Sequence, residues 1–106
     1  MHDLARQILS AFRAKNWTVT TAESCTGGMV AAAITEIPGS SDVFDRGYIT
    51  YSNTAKMEML DVALTTLNDF GAVSEQVAQE MAQAALVAAK TDIAISVTGI
   101  AGPGPS

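Results

Sequence analysis

Three short segments of this 106-residue sequence hold the side chains that could do chemistry. The first is Thr21-Ala22-Glu23-Ser24-Cys25-Thr26-Gly27-Gly28, where a serine lies between a β-branched run and a glycine pair. A serine at such a bend acts as a nucleophile when nearby main-chain N–H groups hold the oxyanion. The plainer reading makes Ser24 or Thr26 a helix cap and Gly27-Gly28 a tight packing point. Two glycines where a helix should start weaken that helix, which tilts the balance toward the nucleophile. Cys25 is a rival, because a helix N-terminus activates a neighbouring thiol. Its other reading is a small packing residue beside the site.

The base is set by a scarcity. The one histidine is His2, at the chain start, so a Ser-His-Asp triad is not expected and a lysine or carboxylate must serve. Lys15 and Lys90 close helices as solvated partners of the helix dipole. Lys56 follows Tyr51-Ser52-Asn53-Thr54-Ala55, at the end of a strand and the start of a helix. A cation near a helix N-terminus is disfavoured, which suits a neutral base. Read from the residues alone, Lys56 is equally a surface lysine paired with Asp61 or Glu58. The third segment, Ser96-Val97-Thr98-Gly99-Ile100-Ala101-Gly102-Pro103-Gly104, runs from a strand into a Gly-rich loop. Such loops form N–H nests for anions, and Thr98 could donate to a substrate or to the nucleophile. Alone, this segment is also readable as a turn.

These segments need elements to position them. Leu4, Ala5, Ile8, Leu9 and Phe12 have the spacing of an amphipathic helix over 3–15, with Asp3 as cap. The alternating run 17–22 reads as a strand, 27–37 as a helix closed by Pro38-Gly39, and 42–52 as a second strand. A short helix follows over 53–61, capped by Asn53 or Thr54. Residues 62–72 carry no clear signal. Ser74 opens a long helix to about Lys90, and Asp92 to Val97 reads as a central, buried strand. The alternation predicts one α/β domain over 1–106, with a mixed, largely parallel sheet and helices on both faces. All three chemical segments then fall at carboxyl ends of strands, where open α/β sheets bind ligands.

Composition narrows the classes further. Hydrophobic residues are 48% of the chain and charged residues 16%, which excludes a disordered chain. No apolar run reaches bilayer length, and Met1-His2-Asp3 does not begin a secretory signal. A net charge of −5 disfavours binding to nucleic acid. The single cysteine precludes an internal disulfide and a cysteine metal cluster, and suits a reducing cytoplasm.

The quoted segments, together with Gly47-Tyr48-Ile49-Thr50-Tyr51-Ser52-Asn53-x-x-Lys56 and Gly71-Ala72-Val73-Ser74, resemble the CinA C-terminal domain family in order and spacing. That family includes nicotinamide mononucleotide amidases. The resemblance implies a three-layer α/β/α fold and hydrolysis of the nucleotide's carboxamide to nicotinic acid mononucleotide and ammonia, without metal or cofactor. The family's nucleophile falls on Ser24 and its lysine base on Lys56, with the motif tyrosine on Tyr51. Glu23, Thr26, Gly27, Gly28, Thr98, Gly99 and Gly102 are the implied substrate contacts. The expected oxyanion donors are N–H groups near Gly27, and the partner is a small nucleotide. Family members continue beyond the Ala-Gly-Pro-Gly loop with a further strand and helix and a substrate-contacting arginine. Arg6, Arg13 and Arg46 do not match that arginine, so the chain is expected to lack the family's last elements. Two alternatives follow: a catalytically impaired nucleotide-binding or regulatory module, and a chain that self-associates as a homo-oligomer to finish its sheet.

Overall fold

A computed structural model of the chain describes residues 2–99. Helix α1 (His2–Ala14) forms where the amphipathic spacing predicts, and buries Ala5 and Leu9. It ends in a tight turn: the Trp17 N–H donates to the Phe12 carbonyl at 2.8 Å, with Asn16 left-handed at φ 57°. That turn keeps Trp17 out of the strand expected at 17–22. Its ring packs on Phe12 instead, at 6.0 Å between centroids, and strand β1 runs Val19–Glu23.

Helix α2 (Met29–Thr35), a 3-10 turn at Ser40–Asp42, and strand β2 (Phe44–Ile49) follow. Arg13 ties α1 to that turn, donating to the Asp42 carboxylate and to the Gly39 carbonyl. Helix α3 (Asn53–Leu60) is capped by Ser52, whose hydroxyl accepts from the Ala55 N–H at 3.0 Å. The cap therefore lies one residue ahead of the expected Asn53 or Thr54, because β2 ends at Ile49 and frees Ser52 to adopt the extended cap conformation. The unassigned stretch contains helix α4 (Leu64–Phe70). Helix α5 (Glu75–Ala89) starts at its Ser74 cap, and strand β3 (Ile93–Val97) closes the described elements.

The three strands are parallel in the order β2-β1-β3, with Thr21 level with Gly47 and Ile95. Helices cover both faces, giving three layers. Ala5, Leu9, Val19, Ile34, Ile37 and Val43 form the core on the α1/α2 face. Ala22, Leu60, Val62, Val77, Met81 and Ala85 form the core on the other. The strand order overturns a further expectation. The apolar strand Ile93–Val97 is not the central one among the described residues; it pairs on one side only and is half-buried throughout. The centre belongs to threonine-rich β1, buried at all five positions because it is flanked by a strand on each edge and helices on each face. No described helix is long and apolar enough to cross a membrane.

Candidate active site

Parallel pairing brings the ends of β1, β2 and β3 to one edge, as the site requires. Ser24 leaves β1 there and is 5% exposed. Its N–H donates to the Val97 carbonyl at 3.0 Å, and its carbonyl accepts from Gly27 N–H at 3.1 Å. The first contact fixes the turn against β3 and the second closes the turn on itself. The Ser24 hydroxyl faces the Tyr51 carbonyl at 3.4 Å.

Lys56 comes from the other side. It is 2% exposed, and its ammonium donates to the same Tyr51 carbonyl at 3.2 Å. No carboxylate pairs with it among the described residues, so the surface ion pair with Asp61 or Glu58 does not form. Burial holds the Lys56 amine below its ordinary pKa, with the nearby Cys25 acting weakly the other way. A buried lysine without a counter-ion gives up its proton more readily than an exposed one, and a neutral amine can accept a proton.

Glu23 is 1% exposed and turns away from this pair. Its carboxylate accepts from the Thr26 hydroxyl at 2.6 Å and from the N–H groups of Gly28, Val30 and Ala31 at 3.2, 2.9 and 2.9 Å. Burial alone would raise its pKa. The four hydrogen bonds outweigh burial and hold the carboxyl below its ordinary value. Gly28 begins α2 at φ 109°, which a side chain would strain, and a Cβ there would approach Ile49 at 3.0 Å.

These bonds relocate the oxyanion donors. The amides of Gly27 and Met29 go to the Ser24 and Thr26 carbonyls, and those of Gly28, Val30 and Ala31 go to Glu23. The helix start near Gly27 is therefore not free to hold an oxyanion. The amides of Cys25 and Thr26 meet no acceptor among the described residues.

The remaining expected residues are placed as follows. The Tyr51 side chain is 65% exposed, and its main-chain carbonyl is what touches Ser24 and Lys56. The Thr98 hydroxyl donates to the Ala72 carbonyl at 2.8 Å and so pins the Gly71–Ser74 loop. Gly99 backs onto Cys25, whose sulfur would lie 3.1 Å from a Cβ there. Gly102 lies outside the described residues. An open groove of about 410 Å³ runs past Ser74, Ala78, Ser96, Val97 and Thr98 at this edge. A larger groove of about 610 Å³ flanks α5 and holds none of the expected residues. Sequence reasoning missed the Tyr51 and Val97 carbonyls, because a main-chain atom carries no residue-type signal.

Comparison with known proteins adds to this. A family model described as the CinA C-terminal domain matches residues 1–106. The nicotinamide-nucleotide amidohydrolase PncC of Enterobacter agglomerans is 59% identical over 103 residues, 97% of this chain and 63% of that protein. The protein of the same name from Escherichia coli K12 is 57% identical over 100 residues, 94% of this chain and 61% of its own length. A crystal structure of the competence damage-inducible protein A from Klebsiella pneumoniae superposes with a TM-score of 0.96 at 43% identity. It covers 99% of this chain, which in turn covers 65% of that one. The chain thus spans less than two thirds of the length of these relatives.

Proposed function

This chain belongs to the CinA C-terminal domain family, and we propose that its site hydrolyses the carboxamide of a nicotinamide nucleotide, giving the acid and ammonia. The observation that carries the reading is the meeting of the Ser24 hydroxyl and the Lys56 amine at one main-chain carbonyl, that of Tyr51. The relatives named as nicotinamide-nucleotide amidohydrolases support the substrate class.

Neutral Lys56 takes the proton from Ser24 as its oxygen bonds to the carboxamide carbon. The Cys25 and Thr26 amides hold the developing oxyanion. Lys56 returns the proton to the leaving nitrogen, the C–N bond breaks, and ammonia departs from a Ser24 ester. Water, deprotonated by the same amine, then attacks the ester and restores Ser24. Tyr51 serves through its carbonyl, which orients both partners. Thr98 shapes the pocket through the Gly71–Ser74 loop, and Gly99 leaves room for Cys25. A net charge of −5 suits a mononucleotide better than a polynucleotide, and a free thiol at Cys25 suits the cytoplasm.

The test is ammonia release from nicotinamide mononucleotide by the wild type, Ser24→Ala and Lys56→Met. Release that both substitutions abolish is expected. Full turnover by Ser24→Ala removes the nucleophile assignment. Nucleotide binding without ammonia from the wild type would favour the impaired binding module.

A further inference from the structure

From the hydrogen bonds around α2, we infer that Glu23 is a positioning residue that holds the Ser24 turn and keeps the Cys25 and Thr26 amides free, not a ligand of the substrate. The inference rests on the proposed serine mechanism. Helix α2 is seven residues long and starts at Gly28, which offers no capping side chain. Its orphan amides need an acceptor. The Glu23 carboxylate, from the end of the preceding strand, supplies it to Gly28, Val30 and Ala31. The same carboxylate takes the Thr26 hydroxyl. That bond closes a loop from Glu23 to Thr26 around Ser24 and Cys25. With three donors on Oε1, one on Oε2 and 1% exposure, the carboxylate is turned into the start of α2 and not presented to a substrate. The helix therefore gives the amides of Gly28, Val30 and Ala31 to Glu23, and among the described residues the amides of Cys25 and Thr26 are left without an acceptor.

Glu23→Gln preserves size but aims an NH₂ group at an N–H donor. Once the cradle loosens, the turn is free to shift and the nucleophile loses its aim. Glu80→Gln is the control. Glu80 also caps a neighbouring helix, accepting from the Ala63 N–H and the Thr66 hydroxyl at the start of α4, and touches none of the site residues. Both variants are compared with the wild type well below their melting temperatures. The expected result is a kcat for Glu23→Gln lowered on the order of 100-fold. KM should stay within about threefold, marking loss of an interaction made in the transition state. Glu80→Gln should melt earlier with unchanged kcat. Wild-type kcat in folded Glu23→Gln overturns the inference. Amide hydrogen exchange separates this from failure of the serine mechanism, which would show as equal ammonia release by wild type and Ser24→Ala. Faster exchange at Gly28, Val30 and Ala31, with altered exchange at Cys25 and Thr26, supports the positioning role in either case. Unchanged exchange at all five amides overturns it.

Discussion

Ser24 and Lys56 share one acceptor. The serine hydroxyl and the lysine ammonium both point at the Tyr51 carbonyl, at 3.4 and 3.2 Å. One main-chain oxygen thus draws together a side chain from the end of β1 and another from α3. The consequence is an amine buried with a neutral acceptor and, among the described residues, no carboxylate, an arrangement that costs stability and suits proton transfer.

Lys56→Met should show both sides of that arrangement. Removing a buried, uncompensated amine while keeping an unbranched side chain should raise stability by about 0.5–2 kcal/mol. Ammonia release should be lost at the same time. A thermal melt and the activity assay, run on one preparation, check the pair of outcomes.

The pH dependence follows from the lowered pKa of Lys56, whose ordinary value is 10.5. Between the folded value and 10.5 the unfolded chain binds more protons than the folded one, so stability climbs as pH rises through that window. The rate should also rise with pH as the amine loses its proton, with an apparent pKa below 10.5. The denaturation profile should lose this component in Lys56→Met.

Glu23 gives the opposite limb. Its folded pKa lies below the ordinary 4.5, so its stabilising contribution is complete above 4.5 and is lost as pH falls through the folded value. Acid unfolding followed by circular dichroism should be less steep in Glu23→Gln than in the wild type.

Gly47 should tolerate no side chain. Gly47 is itself exposed on β2, but a Cβ there would lie 2.6 Å from the hydroxyl of Thr21, which is buried in β1. Gly47→Ala should cost about 1–3 kcal/mol through overpacking. The Thr21 hydroxyl has no hydrogen-bond partner among the described residues, so Thr21→Ala removes the obstacle without breaking a bond seen there. The double substitution should therefore cost less than the sum of the single ones, which a double-mutant cycle by chemical denaturation measures.

The sequence by itself determined the pieces whose causes are local. Apolar spacing of 3 and 4 residues sets α1, serine caps α5, and the strand-turn-helix at Thr21–Gly28 is written in β-branched residues followed by glycines. The lone histidine at position 2 pointed away from a triad. Tertiary structure alone decided the rest. Apolar β3 looked central, yet neighbours on both edges make β1 the centre among the described strands, and strand order is a non-local property. Lys56 was equally a surface residue until packing buried it against Tyr51. Glu23 stood in a motif as a substrate contact, and only the path of α2 shows its carboxylate spent on that helix. The decisive partners are main-chain carbonyls and amides, which every residue shares, so no residue type could announce them before the chain had folded.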